Sequence, residues 1–116
     1  MSGEIHEERS KLSTKTLDVH RAINSLMEEL EAVDWYNQRA DVASDPELKA
    51  LLEHNRDEEK EHAAMLVEWL RRNDEGFGNE LKSYLFKTGS IIHHEAVATS
   101  EEQVSDENSS LGLGKL

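Results

Sequence analysis

Cysteine is absent from the 116 residues, which excludes disulfides, thiolate zinc sites and iron–sulfur clusters. Any bound metal would have to be held by oxygen and imidazole, donors that suit iron, manganese or zinc. There is one proline and no run rich in β-branched residues, so helix is the expected structure. Aromatics are scarce, two each of Trp, Tyr and Phe, and hydrophobic residues make up only 36% of the chain. So little apolar material in a single small domain points to a core finished by a second copy of the chain. Basic residues are outnumbered, 13 Lys and Arg against 25 Asp and Glu, for a net charge of −12. Nucleic-acid phosphates require a basic surface, so no nucleic-acid partner is expected. No stretch approaches the ~20 apolar residues of a membrane span, and Glu4, His6, Glu7 and Glu8 replace a signal peptide's hydrophobic region. A soluble cytoplasmic protein with no membrane attachment is the expectation.

The fold class read from the remaining pattern is all-α. Residues 1–10 are polar and expected to be disordered; residues 11–98 form a helical-hairpin domain; 99–110 are an acidic linker, and 111–116 an apolar tail. The first helix follows Leu12, Thr16, Val19, Ile23, Leu26, Leu30 and Val33, a heptad rhythm that fades after Arg39. Ala43-Ser44-Asp45-Pro46-Glu47 is a start signal for the second, with Ser44 and Glu47 matching a capping box and Pro46 in the tolerant first turn. The second helix ends on Arg71-Arg72, cations suited to a helix C-terminus, and Asn73 to Gly76 should stop it. Each long helix would span roughly 35–40 Å. A short helix over Asn79 to Phe86 and a weaker one over Ile91 to Ala98 complete the pattern, separated by Gly89.

The buried seam of the second helix carries the chemistry. Leu48, Leu52, Asn55, Glu59, His62, Leu66 and Trp69 recur in unbroken steps of four and three, and the middle of that seam is polar. A buried carboxylate costs several kcal/mol unless a cation or donor neutralises it. Glu59 and His62, at i and i+3, project from one side of the helix, as two ligands of one metal must. Helical di-iron proteins take a lone Glu from each of two helices and a Glu-x-x-His pair from each of two others. Glu59-Lys60-Glu61-His62 supplies the pair. The lone Glu should be Glu29, which flanks the first seam and lies about as far before a turn at Ala43 as Glu59 lies after it.

One copy therefore offers three ligands, too few for two metals, whereas two copies about a two-fold axis offer four carboxylates and two imidazoles. The expected architecture is a two-helix antiparallel hairpin, half of a ferritin-like unit, that completes a four-helix bundle by homodimerisation. The blander reading pairs Glu59 with Arg56 or Lys60 and leaves His62 as an ordinary core histidine. Tyr36 and Asn55 are candidates for donors that orient the ligands. Glu28 and Glu31 lie on the outer face of the first helix, where charged residues are usually a solvated surface; if the outward Trp35 beside them marks a further subunit contact, the pair could line a route for metal access.

Two stretches carry a family resemblance: Met27-Glu28-Glu29-Leu30-Glu31-Ala32-Val33-Asp34-Trp35-Tyr36 and Asp57-Glu58-Glu59-Lys60-Glu61-His62-Ala63-Ala64-Met65. Together with Glu68-Trp69-Leu70-Arg71-Arg72-Asn73 and Tyr84-Leu85-Phe86, they resemble the encapsulated ferritins of bacteria and archaea. The resemblance implies a homodimer assembling into a ring, usually a decamer, with a di-iron ferroxidase site across the interface. It implies Glu29, Glu59 and His62 as iron ligands, with Glu59 of each subunit the expected bridge, and Glu28 and Glu31 on the path by which iron enters. Leu111, Gly112, Leu113, Gly114 and Leu116 resemble the terminal peptides that load cargo into encapsulin shells, so an encapsulin shell protein is the expected partner and its compartment the expected location. Spaced leucines on an acidic tether suit apolar pockets of a partner. Such a ring holds no mineral itself; the shell would. The rival expectations are a non-catalytic metal-binding protein and a structural cargo protein whose polar seam only fixes register.

Overall fold

The computed structural model describes residues 4–92, all helix, turn and extended linker. A 3₁₀ turn at Arg9–Lys11 precedes α1 (Thr14–Val42), α2 (Pro46–Asn73) and α3 (Glu75–Tyr84). They fall into two compact units divided between Glu75 and Gly76. The first is the antiparallel hairpin of α1 and α2; α3 leads into the second. No helix of the described residues is long and apolar enough to cross a membrane.

Local chemistry sets the ends of the hairpin helices. Ser13 caps α1, its hydroxyl oxygen accepting the Thr16 backbone N–H at 3.0 Å. The cap of α2 is Asp45, whose carboxylate accepts the Leu48 N–H at 2.8 Å. The Ser44–Glu47 capping box expected from sequence is thus displaced by one residue. Pro46 explains the shift: at the first helical position, its fixed φ and missing N–H make the residue before it the cap. Glu68 sits between Arg71 and Arg72 in the last turns of α2, at 2.6 Å from each, and their guanidinium groups hold its carboxyl down to about 2. With the folded value lowered, this contribution is present above the ordinary value of 4.5 and fades as pH falls towards 2.

The helix ends and middle are tied across the hairpin. Lys49 donates to the Ala40 carbonyl at 3.0 Å near the turn, Arg56 to the Asn37 side chain at 3.1 Å, and Lys15 to the Asn73 side chain at 3.2 Å at the open end. Between them the helices touch through small residues. Ala22 and Ala40 of α1, with Ala63 and Leu70 of α2, are the buried apolar side chains of the hairpin among the described residues. Alanine at the contact lets the helix axes approach closely.

The seam expected for α1 is rotated in the structure. Ala22, Leu26, Glu29, Val33, Tyr36 and Ala40 are buried or half-buried, whereas Thr16, Ile23 and Leu30 stand exposed, Leu30 at 54%. Apolar bulk alone favours the Ile23–Leu30 stripe, but close contact is made where the residues are smallest. Glu29 consequently lies in the facing stripe and does not merely flank it. On α2, Leu52, Asn55, Glu59, His62, Leu66 and Trp69 are half-buried as their spacing predicts, while Leu48 is exposed.

Beyond the hairpin, α3 begins at Glu75, earlier than the expected Asn79, after an interruption of a single extended residue, Asp74. Gly76 and Gly78 lie inside this helix despite glycine's cost of ~1 kcal/mol there, and Gly78 is buried. Phe86 adopts a left-handed φ of 59° just past the helix, and Gly89 another positive φ, at the break expected there. Ile91 and Ile92 form a turn, and the remainder of the helix expected through Ala98 lies outside the described residues, as do the acidic linker and tail.

The cap assignment has a direct test. Asp45→Ala should destabilise the protein by about 1 kcal/mol, read as a lowered thermal midpoint, whereas Ser44→Ala should change it by less than half as much.

Candidate metal centre

Glu29 comes from the middle of α1, and Glu59 and His62 from the middle of α2. The antiparallel hairpin brings them level. Nδ1 of His62 lies 3.4 Å from one oxygen of Glu59 and 3.6 Å from Oε2 of Glu29. One ligand atom from each of the three side chains falls within 4.8 Å of the others, which makes the set a candidate to hold a metal ion. The two carboxylates are half-buried, at 24% and 25% side-chain exposure; His62, at 43%, opens to the surface.

The oxygen Oε2 of Glu29 is buried and has no hydrogen-bond partner. His62 is close to it, but 3.6 Å is beyond hydrogen-bond reach. An acceptor taken from water and left without a donor costs about 1–3 kcal/mol, more when it is charged. A cation placed among the three donors would remove that cost. Two carboxylates and one imidazole form a hard-to-borderline set that suits iron, manganese or zinc, and three ligands leave coordination positions open. The residues therefore fit a metal.

The blander pairing is not what the side chains do. Arg56 bonds to Asp57 and Asn37, and Lys60 also turns to Asp57, so neither neutralises Glu59. The remaining sequence candidates are spread around the site. Glu28 and Glu31 are exposed on the outer face of α1, and Trp35 is 49% exposed. Tyr36 and Asn55 are half-buried along the stripes that carry the ligands, and neither donates to the triad within one chain. His54, to which no role falls, pairs with Glu58 at 3.6 Å. The targeting residues Leu111, Gly112, Leu113, Gly114 and Leu116 lie outside the described residues. Sequence reasoning missed Arg39, whose guanidinium carbon lies 5.9 Å from the Trp35 ring centre and 5.6 Å from that of Tyr36. Its spacing of four and three residues from those rings was the available signal.

Comparison with known proteins decides the family. The sequence model of the EncFtn-like family matches residues 4–88. An encapsulated ferritin-like protein from Rhodospirillum rubrum is 51% identical over 124 aligned residues, covering 99% of this chain and 89% of that protein. The chain belongs to the EncFtn-like family. A ferritin-like protein of Thermotoga maritima is 48% identical over the whole length of both chains. The encapsulin nanocompartment cargo protein EncB of Myxococcus xanthus is 41% identical over 59 residues, covering 51% of this chain and 37% of EncB. Among solved structures, a protein from Nitrosomonas europaea superposes with a TM-score of 0.73 at 62% identity, covering 75% of this chain and 96% of that one. The two-helix hairpin followed by a short helix is thus the fold that sequence, structure and relatives agree upon, and an iron-related, ferritin-like role accords with the family.

The unpartnered oxygen makes a prediction for the metal-free state. Glu29→Met should stabilise chelator-treated protein by about 1 kcal/mol, read as a raised thermal midpoint, because it removes a buried acceptor that lacks a donor. The same variant should lose the stabilisation that added ferrous iron gives the wild type. A midpoint lowered in the absence of metal would mean that Glu29 is already satisfied.

Proposed function

We propose that this EncFtn-like protein is a ferroxidase that oxidises Fe²⁺ to Fe³⁺ at a di-iron site completed by a second copy of the chain. The observation that carries the reading is the half-site itself: Glu29, Glu59 and His62 converge with one carboxylate oxygen unpartnered, and the imidazole opens outward. The hairpin also leaves Leu51 and Met65 exposed on α2, and its own buried core is little more than three alanines and a leucine. A second copy docked there would cover this surface and bring three more ligands. Homodimers assembling into a ring, with a decamer as the expected form, follow the family.

Iron is the substrate. Each Fe²⁺ gives up one electron, and a pair of ions delivers two to dioxygen, which takes up two protons to become hydrogen peroxide, or to hydrogen peroxide, which takes up two protons to become two waters. Within this chain, Glu29 and Glu59 supply anionic oxygen that favours Fe³⁺ over Fe²⁺ and so drives the oxidation. His62, a neutral donor, fixes the position of the ion between them without adding negative charge. Glu59 of both copies would hold the two ions together as a shared ligand. Tyr36 and Asn55, half-buried beside the ligands, act as donors that orient them once the interface forms. Glu28 and Glu31, exposed outside, concentrate Fe²⁺ along its route inward.

Residues 111–116 carry the protein into an encapsulin shell, within the cytoplasm, where the Fe³⁺ produced is stored as mineral. The relatives named as encapsulated and as nanocompartment cargo support this reading. Each buried leucine would favour docking by roughly 1.5–3 kcal/mol before ordering costs, and a ring presenting many tails to one wall gains avidity.

Two experiments test the reading. Glu59→Ala and His62→Ala should each reduce ferrous-iron oxidation, followed by oxygen uptake, by at least about a hundredfold with helical content unchanged, while Glu28→Ala and Glu31→Ala should slow iron delivery at low iron and leave the maximal rate near wild type. Wild-type kinetics in Glu59→Ala would remove the ligand assignment, and iron binding without oxygen uptake in the wild type would reduce the protein to a metal buffer. Deleting residues 111–116 should leave oxidation intact and abolish co-purification with a co-expressed encapsulin shell; packaging that survives the deletion would assign targeting elsewhere.

A further inference from the structure

Each aromatic side chain of the hairpin unit has a cation over its face. Arg39 lies over Trp35 and Tyr36, at 5.9 and 5.6 Å, and Lys15 lies 5.7 Å from the centre of Trp69. Phe77, Tyr84 and Phe86, the remaining aromatics, belong to the second unit. Cation–π pairs occur about once per 70–80 residues, so three ringed contacts in one hairpin are unusually dense. Their placement follows the metal centre. Tyr36 is seven residues beyond Glu29 on α1, and Trp69 seven beyond His62 on α2, each two helical turns or ~10 Å from the triad and, in antiparallel helices, on opposite sides of it. Neither cation makes an ion pair among the described residues, although the chain carries a net charge of −12.

We propose that Arg39 and Lys15 guard these rings against oxidation by the oxidant consumed at the iron site. A cation is attracted to the electron-rich face of a neutral ring. Once an electron leaves the ring, the same cation faces a positive charge, so attraction becomes repulsion and the loss is disfavoured. At under 6 Å the two charges lie within the Debye length and are incompletely screened. The damage resisted begins with that electron loss: the oxidised ring takes up water and gives up a second electron and two protons, so a C–H bond becomes C–OH, while hydrogen peroxide takes the two electrons and two protons and becomes two waters. Electrons for the oxidant are thereby drawn from Fe²⁺ and not from the protein. This inference rests on the ferroxidase reading, which supplies the oxidant.

The test uses the full-length protein. Wild type, Arg39→Gln, Arg39→Lys and Lys15→Gln are loaded with ferrous iron and cycled with hydrogen peroxide, and peptide mass spectrometry measures hydroxylation ring by ring. Arg39→Gln should raise hydroxylation of Trp35 and Tyr36 at least about twofold, the equivalent of an exposed cation–π contact, with Trp69 unchanged. Lys15→Gln should raise it at Trp69 alone, and Arg39→Lys, which keeps the charge, should remain near wild type. Unaltered damage at the uncovered rings, or an equal rise at all three, would overturn the proposal. Iron oxidation measured in the same samples separates the two readings: its absence in the wild type would remove the ferroxidase, whereas normal oxidation with unchanged ring damage in the variants would remove only the guard.

Discussion

A carboxylate oxygen buried without a donor is the constraint around which this protein is organised. Oε2 of Glu29 lies at the contact between two helices, with His62 near but beyond hydrogen-bond reach. Evolution readily replaces such a group with an apolar one when nothing requires it, because the exchange is stabilising. Its neighbours sharpen the point. Arg56 and Lys60, which could each have neutralised Glu59, are drawn away to Asp57. The hairpin is held together at its turn, middle and open end by Lys49, Arg56 and Lys15, leaving the centre to the three polar side chains.

On the proposed reading, the thin core of the hairpin and its three-ligand site have one explanation. Alanines at the contact bring α1 and α2 close, which sets Glu29 against Glu59 and His62, but alanines bury little apolar area. Several larger apolar residues, among them Ile23, Met27 and Leu30 on α1 and Leu51 and Met65 on α2, are left exposed. The same second copy that would supply missing ligands would also supply missing core. On that reading, folding, assembly and metal binding would be coupled, and the stability of the chain would depend on its concentration and on iron.

Much of this was legible in the sequence, and the failures have physical causes. Heptad spacing marked both long helices, and the i, i+3 pair on the α2 seam, read against the distance of each residue from the turn, named the three residues that the fold brings together. The seam of α1 was misplaced because bulky Ile23 and Leu30 outweighed Ala22 and Ala40, although close helix contact favours the small residues. Pro46 moved the α2 cap from Ser44 to Asp45. Gly76 and Gly78 concealed the start of α3, since their intrinsic cost in a helix predicts a break. Arg39 over Trp35 and Tyr36 is a local contact that spacing could have revealed; Lys15 over Trp69, 54 residues apart in sequence, required the hairpin's register.

The central claim is that the metal centre belongs to a pair of chains, and native mass spectrometry under anaerobic titration with ferrous iron tests it most directly. The account predicts iron in assemblies built from dimers, at one ion per chain, with the monomer remaining iron-free until it associates. Monomers that take up iron as tightly as the larger assemblies would contradict it.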